Sequence, residues 1–175
     1  MTEPHWFVAF VHSCQERKLA ERLEQQGVRC YVPVQKVKRK WSDRIKIVDK
    51  LLLPGVVFVR CDETARKTLF RKAYGICTFL MDRGSGDGKV AVVPQRQMND
   101  FIRAVDSLNG EGEIEFVNCR IEPGDMVRVK RGPLEGMICE CVEVQHNHKL
   151  VIRLGLLGSA LVSIDAGDVA KGDVI

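Results

Sequence analysis

The segment KVKRKWSDRIKIVDKLLLPGVVFVR, residues 36–60, contains the features that decide the fold. Its first half is dense in Lys and Arg and holds only Asp43 and Asp49 as acids. A surplus of cations this large predicts a ribbon that faces phosphate groups. Its second half, LLLPGVVFV, is apolar and broken by Pro54 and Gly55. That pattern predicts a buried strand with an apolar edge available to a partner.

The chain before this segment predicts two strands and a helix. The run WFVAFV within residues 5–12 is apolar throughout, which is typical of a strand buried on both faces. Residues 15–26 place Leu19 and Leu23 one helical turn apart, so we expect an amphipathic helix there. A second strand is predicted over residues 29–34, before the basic hairpin.

The chain after the segment continues the alternation. Residues 55–61 predict a third core strand, and a helix over 62–73 follows, capped by Asp62 or Thr64. The apolar side chains of this helix that we expect to face the core are Leu69 and Phe70, with its cations outside. The next predicted elements are a strand at 76–81, a flexible loop at 84–88, a short strand at 90–93 and a helix at 95–105.

Charge and composition divide the chain in two. Residues 1–106 contain 20 Lys or Arg against 12 Asp or Glu, whereas residues 107–175 contain 7 against 11. This asymmetry favours a basic first module near nucleic acid and an acidic second module with a different partner. Two solvated surfaces of ordinary charge are the alternative.

The second half has the pattern of a small β-barrel. Glycine, serine and acids over residues 107–118 predict a linker between two domains, 1–106 and 119–175. The last domain shows short apolar segments separated by turn residues, and closure into a barrel makes its small size workable. Its predicted strands cover residues 126–130, 137–144, 150–154 and 160–164.

Several function classes are excluded by what the sequence lacks. No stretch approaches the roughly 20 apolar residues that cross a bilayer, and the N-terminus has no signal-peptide pattern, so we expect a cytoplasmic protein without a membrane partner. Seven scattered cysteines fit reduced core thiols. No acid, base and nucleophile converge on a catalytic site, so we expect no enzyme activity and no cofactor.

Zinc is disfavoured by the spacing of its candidate ligands. The four candidates are Cys139, Cys141, His146 and His148. Their CxC and HxH spacings do not match common structural zinc pairs, and a barrel strand can bury two thiols without a metal. We therefore predict no metal site.

The aromatic residues have competing interpretations. Trp6, Tyr31 and Phe58 could stack on bases, but their position on core strands favours packing. Trp41 stands among cations, where an exposed indole could stack on a base, contact a partner or pin the hairpin to the sheet. These three alternatives for Trp41 stay open at this stage.

The order of motifs resembles one known family over nearly the whole chain. The motifs are WFVAF, VRCYVPVQ, KWSDR, LLLPGVVFV and EPGDMVRVKRGPLEGM. Together they resemble the NusG family of transcription elongation factors. KWSDR before PGVVFVR is especially similar to the UpxY branch, specialised antiterminators of capsular polysaccharide operons in Bacteroides-type bacteria. The resemblance implies an α+β fold, with an antiparallel sheet flanked by helices followed by a KOW domain, which is a small SH3-like β-barrel.

The second-half resemblance rests on a defined set of residues: Pro123, Gly124, Asp125, Val127, Val129, Gly132, Pro133 and Gly136. One position departs from the family, because its signature glycine corresponds to Cys139. Glycine commonly serves where the backbone needs a positive φ or a close approach, which cysteine tolerates poorly.

The resemblance also implies a function. A protein of this family binds the clamp helices of RNA polymerase, bridges the nucleic-acid cleft and suppresses pausing or termination, here in an operon-specific way. The expected partners are RNA polymerase, DNA or nascent RNA near the transcription bubble, and an unidentified protein for the KOW domain, with the chain itself a monomer. A ribosome-associated or RNA-binding KOW protein is the alternative.

The site residues are predicted in two groups. The polymerase-binding group is Trp6, Tyr31, Leu53, Pro54, Gly55, Val56 and Phe58. The family usually has aromatic residues at two of these positions, where this chain has Leu53 and Val56. The nucleic-acid-binding group is Arg17, Lys18, Lys38, Arg39, Lys40, Trp41, Arg44, Arg66, Lys67, Arg71 and Lys72.

Overall fold

A computed structural model describes residues 3–71, 75–84, 88–118, 121–144 and 146–171. Two predicted features lie outside these residues, namely Lys72 and the centre of the 84–88 loop. The chain divides into two compact units. The first comprises residues 1–33, 53–98 and 155–157, and the second comprises residues 34–52, 99–154 and 158–175.

Fifteen strands and three α-helices make up the described residues. In chain order they are β1 His5–Val11, α1 Glu16–Glu24, β2 Arg29–Tyr31, β3 Val34–Lys40, β4 Ile45–Leu51, β5 Val56–Cys61, α2 Glu63–Arg71, β6 Ile76–Phe79, β7 Met81–Asp82, β8 Lys89–Val90, β9 Val92–Val93, α3 Gln95–Ser107, β10 Ile114–Val117, β11 Asp125–Val129, β12 Ile138–Val144, β13 Asn147–Arg153, β14 Ser159–Ile164 and β15 Val169–Lys171, with a short 3₁₀ turn at Ala166–Asp168 before β15.

The first unit is built on an antiparallel sheet with the strand order β2-β5-β1-β6, and β9 also pairs with β1. β1 lies at the centre and pairs with β5 from His5 opposite Cys61 to Phe10 opposite Val56. Both strands are buried on both faces. The continuous apolar runs of β1 and β5 therefore correspond, as predicted, to core strands.

One face of this sheet forms a core with helices α1 and α2. Phe7 of β1 and Val59 of β5 are buried there together with Leu19 and Leu23 of α1 and Leu69 of α2. Leu19 and Leu23 lie one helical turn apart, so one apolar stripe of α1 meets the sheet. Each large apolar side chain buried in this way contributes about 1.5–3 kcal/mol.

Helix α2 begins at the predicted cap. The carboxylate of Asp62 accepts a hydrogen bond from the backbone N–H of Ala65 at 2.7 Å, which is the usual N-cap contact. Leu69 faces the core as expected, but Phe70 is exposed, so its predicted burial was wrong. Arg66 and Leu69 lie three residues apart and face the sheet together, which turns Phe70 to the solvent edge of the helix.

The second unit contains a six-stranded antiparallel sheet with the order β10-β14-β13-β12-β11-β15. The four strands predicted in this half of the chain are present as β11 to β14, with ends displaced by up to three residues. β10 and β15, at the two ends of the order, were not predicted. The predicted linker, residues 107–118, thus contains β10, which pairs with β14.

β10 escaped prediction because only Ile114 and Phe116 alternate there, among acids and glycines. Its pairing partners come from residues more than 40 positions away, so no local pattern carries it. Closure of this sheet into an SH3-like barrel, and the domain bounds drawn from it, stay predictions. The architecture that is established is a mixed one, with antiparallel sheets and three α-helices.

Gly124 of the second-half motif has a clear backbone role, whereas the departing residue Cys139 has none. A Cβ on Gly124 would overlap the carbonyl of Cys141, so only glycine fits this close approach. Cys139, by contrast, is an ordinary residue of β12 that lies opposite Val127. Its φ is not among the positive values of the described chain. The cysteine therefore meets no demand that only glycine could satisfy.

Among the described residues, no helix combines the length and the apolar character needed to span a membrane.

Candidate functional site

Four predicted polymerase-binding residues lie on one face of the first sheet. Val8 of β1 is opposite Phe58 of β5, and Tyr31 of β2 is opposite Phe58 from the other side. Trp6 and Val56 share this face because they lie two residues from Val8 and Phe58 on their strands. This face, called the aromatic face below, is the one opposite the core with α1 and α2.

The centre of the aromatic face is buried, and Tyr31 at its β2 side is partly exposed. Trp6 is 1% exposed and Phe58 is 0% exposed, and the rings of Phe58 and Tyr31 lie 6.4 Å apart. The packing interpretation of Trp6 and Phe58 is therefore confirmed. Leu53 is only 7% exposed, so the structure does not show the available apolar edge that the sequence suggested there. Whether these residues bind polymerase stays a prediction.

The turn before β5 presents Pro54 to solvent. The backbone N–H of Val56 donates to the carbonyl of Leu53 at 3.2 Å, which closes the turn. Gly55 has a φ of +77°, a conformation that glycine adopts without strain. The carbonyl of Gly55 accepts from the N–H of Val11 at 2.8 Å, so the turn is joined to the end of β1. Within this predicted contact, Pro54 is the exposed side chain.

A buried carboxylate holds the same turn from α1. Glu16 lies in the first turn of α1 and is 2% exposed. Its Oε1 accepts a hydrogen bond from the backbone N–H of Gly55 at 2.6 Å. A carboxylate at a helix N-terminus is also favoured by the helix dipole. The turn 53–56 is thus fixed at two backbone positions by residues of two different elements.

The basic segment forms the predicted hairpin from β3 and β4. The strands pair from Val34 opposite Leu51 to Lys40 opposite Ile45. The N–H of Trp41 donates to the carbonyl of Arg44 at 2.8 Å, which leaves a two-residue loop. A short loop of this kind fixes the register, so the positions of all its cations follow from the turn.

The hairpin tip exposes apolar and cationic side chains together. Trp41 is 55% exposed, Ile45 67% and Ile47 62%. The ammonium of Lys46 lies 5.2 Å from the centre of the Trp41 ring, which is a cation–π contact. Ile45 and Ile47 lie on the face with Lys40 and Lys38, their cross-strand neighbours. Of the three alternatives for Trp41, pinning the hairpin to a sheet does not fit its exposure.

The hairpin cations are largely unneutralised. Arg44 approaches Asp43 at 3.8 Å, and both side chains are exposed, which makes this a weak pair. Within the described chain, the following residues have no ion pair: Lys38, Arg39, Lys40 and Lys46. The tip therefore carries a net positive charge that a phosphate backbone could neutralise.

The base of the hairpin is anchored by one buried amide. Gln35 is fully buried, and its Nε2 donates to the carbonyls of Gly112 at 2.7 Å and Leu108 at 3.3 Å. Its Oε1 accepts from the N–H of Ile114 at 3.1 Å. Because every polar atom of this amide has a partner, its burial is compatible with stability. These hydrogen bonds thus fix the start of β3 to residues 108–114.

The predicted nucleic-acid residues on the helices belong to a different unit from those of the hairpin. Arg17 and Lys18 of α1 are exposed, and Lys67 of α2 is exposed beside Glu63 at 3.8 Å. Arg71 ends α2. These residues belong to the first unit, whereas the hairpin cations belong to the second. Their joint use on one nucleic acid stays a prediction.

Arg66 was predicted to face solvent, and the structure corrects this. Its guanidinium donates to the carboxylate of Glu63 at 2.8 and 2.5 Å and lies 5.6 and 5.2 Å from the ring centres of Phe7 and Phe79. The Glu63 pair raises the pKa of Arg66 and lowers the pKa of Glu63. A bidentate pair over two rings holds a guanidinium that burial alone would disfavour.

The family model described as "Transcription termination factor nusG" matches residues 4–102. The chain belongs to the NusG family. It is 23% identical over 164 residues to the transcription termination/antitermination protein NusG of Staphylococcus carnosus (strain TM300), with 87% of each chain covered. The NusG of Staphylococcus aureus (strain Mu50 / ATCC 700699) matches at the same identity and coverage. These NusG relatives are named as transcription factors and not as enzymes.

A solved structure agrees with the NusG fold. The structure described as "Domain interaction in Thermotoga maritima NusG" matches with a TM-score of 0.50 and 22% identity, and 98% of each chain is covered. At this identity the likeness supports the fold alone. Family and relatives together support a transcription termination or antitermination factor.

The thiols of this NusG-family chain are suited to packing. Burial raises the pKa of Cys30 and Cys139 to about 12 and that of Cys61 to about 11. A thiol with so high a pKa is protonated at neutral pH and reacts slowly. Among the described residues, no group of three or more His, Cys, Asp or Glu could hold a metal ion.

Three features of this NusG-family chain were missed from sequence. Glu16 and Gln35 make hydrogen bonds to residues far along the chain, so no local sequence pattern predicts their roles. Ile45 and Ile47 could have been found, because apolar residues alternate there with cations within a hairpin. Arg29 and Arg60 lie opposite each other beside Trp6, a juxtaposition that only strand register shows.

Proposed function

We propose that this NusG-family protein binds the clamp helices of RNA polymerase through the aromatic face and the turn 53–56, and that it suppresses pausing or termination. The hairpin then contacts DNA or nascent RNA near the transcription bubble. The hairpin sequence resembles that of the UpxY branch. We therefore infer an operon-specific antiterminator whose target class is capsular polysaccharide genes.

One observation carries the polymerase half of the proposal. Trp6, Tyr31, Val56 and Phe58, which were predicted as one group and come from three different strands, share one sheet face. A set of residues chosen at random from two-sided strands would fall on both faces. A contiguous apolar and aromatic face is also the composition that supplies most binding energy at protein interfaces.

The burial of this face adds a condition to the proposal. Phe58 and Trp6 have almost no exposed surface, and Leu53 has little. Contact with polymerase therefore requires a rearrangement that uncovers the face, and the free energy of uncovering lowers the apparent affinity. Pro54 is already exposed and gives polymerase a first point of contact.

The hairpin supports the nucleic-acid half. Its unpaired cations supply affinity for phosphates, and the exposed Trp41 offers a ring on which a base can stack. Both contributions tolerate many sequences, so operon specificity has to come from additional contacts or from the manner of recruitment.

In vitro transcription on the leader template of the protein's own operon tests the proposal. Purified RNA polymerase from the source bacterium is assayed with and without the protein, and we expect increased readthrough. Pro54→Asp places a charge in the exposed part of the contact and should lower both readthrough and polymerase pull-down. Pro133→Asp, which changes an exposed proline of the second unit, is the matched control.

Unchanged readthrough with a folded wild-type protein would contradict the proposal. The alternative of a ribosome-associated protein is favoured by the same exposed cations and by Trp41. Copurification separates the two, because a tagged protein should recover polymerase subunits in the first case and ribosomal subunits in the second.

A further inference from the structure

Three side chains that carry only hydrogen-bond donors converge at one end of the aromatic face. Arg29 of β2 lies opposite Arg60 of β5, and Arg60 lies opposite Trp6 of β1. Residues directly opposite in an antiparallel sheet project on the same side. The guanidinium of Arg29 lies 5.7 Å from the Trp6 ring centre, so it reaches across the row.

This row has no acceptor of its own. Arginine and the tryptophan indole only donate hydrogen bonds. The Nε of Arg60 and the Nε1 of Trp6 are buried without a hydrogen-bond partner in the described chain. Nor do Arg29 and Arg60 have an ion pair among the described residues. A buried unpaired donor costs free energy, and like charges directly opposite add to that cost.

The row can be reached from outside. Arg29 is exposed on β2, which ends the strand order of the first sheet, and Arg60 is partly exposed. The accessible side chains of the row are therefore the two arginines, whereas Phe58 in the next row is fully buried. Each guanidinium is itself a planar fork of N–H donors, which suits a carboxylate.

We propose that Arg29 and Arg60, at the accessible end of the row beside the buried Trp6 indole, bind a carboxylate side chain of a protein partner. This inference rests on the proposed function, in which the partner is RNA polymerase, and it names an acidic residue as the chemistry that the partner contributes. The carboxylate supplies the acceptors that the row lacks and relieves the repulsion between the two arginines.

The surroundings favour a protein carboxylate over a nucleic-acid phosphate. The next row of the face is Tyr31, Phe58 and Val8, which is uncharged and, apart from the Tyr31 hydroxyl, apolar. A protein surface can place an acidic residue beside apolar ones, whereas a phosphate backbone would set further charges against this row. The unpaired hairpin cations, which suit phosphates, belong to the other unit.

Arg29→Met and Arg60→Met test the proposal in the full chain. Methionine keeps the length and the apolar stem but removes the charge and the donors. Binding of purified RNA polymerase is measured by biolayer interferometry, and we expect each variant to bind about tenfold more weakly or worse, as the loss of a charge-assisted hydrogen bond implies. Arg60→Lys keeps the charge without the fork, so it should recover only part of the affinity.

Arg22→Met is the matched control. Arg22 is exposed in the last turn of α1, which packs on the opposite face of the sheet, so the variant loses the same charge elsewhere. Its polymerase affinity should stay within twofold of wild type. If Arg22→Met weakens binding as much as Arg60→Met does, net charge accounts for the effect and the proposal is wrong.

Stability and nucleic-acid binding separate the remaining explanations. Because the arginines repel each other and Arg60 has no ion pair to lose, Arg60→Met should unfold at a temperature equal to or above that of wild type. A lower melting temperature, or a loss of affinity for a single-stranded oligonucleotide with unchanged polymerase affinity, would overturn the proposal. Failure of the wild-type protein to bind polymerase would instead refute the proposed function, so the two failures are distinguishable.

Discussion

The Oε1 atom of Glu16 accepts a hydrogen bond of 2.6 Å from the backbone N–H of Gly55. These residues are 39 positions apart, and the contact joins the first turn of α1 to the turn that begins β5. The segment that the family resemblance marks as a partner contact is therefore held by a helix whose own apolar stripe is fixed in the core. The conformation of Pro54 depends on a residue outside the contact.

Removal of the Glu16 carboxylate should loosen the turn. We expect Glu16→Ala to lower the free energy of unfolding by about 1–3 kcal/mol, because a partly buried N–H loses a charged acceptor. Glu16→Gln keeps an acceptor oxygen and should cost about half as much. Urea unfolding at pH 7, followed by Trp6 fluorescence, measures both.

The chain has two tryptophans, so the measurement uses a Trp41→Phe background in which Trp6 is the only indole. Trp6 lies in the first unit, as do both partners of the contact. Equal losses for the Ala and Gln variants would show that the side-chain packing of Glu16 matters and not its acceptor oxygen.

The buried amide of Gln35 should control the order of the hairpin base. Gln35→Met leaves two carbonyls and the N–H of Ile114 without their partner, so we expect a loss of about 3 kcal/mol. Hydrogen exchange of the Ile114 N–H should accelerate. Gln25→Met, at an exposed position after α1, should change neither quantity.

The elements of this fold that sequence predicted are those with a strong local pattern. β1 and β5 read as continuous apolar runs, and Asp62 capped α2 as expected. β10 was missed because its strand character comes from pairing with β14 and not from its own composition. Local propensity is a weak guide wherever long-range pairing decides the conformation.

The candidate site also has properties that the sequence predicts and properties that it does not. The basic hairpin could be predicted directly from its sequence, and its strand register follows from the turn. The exposure of a side chain could not be predicted from the sequence. Leu53 is buried where an open apolar edge was expected, and Arg66 lies over two aromatic rings where it was expected to face solvent. A sequence gives the chemical type of a side chain, but its burial depends on the three-dimensional packing of distant residues.

The ion pair between Glu140 and Arg153 should make the second unit less stable in acid. Arg153 donates to both carboxylate oxygens at 2.8 and 2.7 Å, and this hydrogen bonding lowers the pKa of Glu140. A carboxyl group with a folded pKa below its unfolded value of about 4.3 stabilises the fold above that pH. The contribution is lost as the pH falls through the folded pKa.

We expect Glu140→Gln to cost about 1 kcal/mol at pH 7, since both side chains are partly exposed and solvent screens the pair. The difference from wild type should shrink below about pH 4 and approach zero in stronger acid. Urea unfolding from pH 7 to pH 3 measures it. Arg153→Met and the double variant complete a cycle, and a coupling energy near zero would contradict the assignment.

Trp41 should contribute affinity for single-stranded nucleic acid without contributing to its salt dependence. The exposed indole can stack on a base, so Trp41→Ala should weaken oligonucleotide binding by about 1–3 kcal/mol, whereas Trp41→Phe should keep most of the affinity. The slope of log affinity against log salt should not change, because no cation is removed. Fluorescence anisotropy with a labelled oligonucleotide at several salt concentrations measures both quantities.

Two sets of variants make the Trp41 experiment decisive. Lys38→Gln and Lys40→Gln should reduce the magnitude of the salt slope by about 0.7 for each phosphate that the protein no longer neutralises. Phe70→Ala removes an exposed ring from α2 in the other unit and should leave affinity and slope unchanged. If Trp41→Ala binds the oligonucleotide as wild type does, base stacking is refuted. The exposed ring, together with Ile45 and Ile47, would then be assigned to a protein contact, because an apolar surface of that kind contributes affinity only where a partner removes it from water.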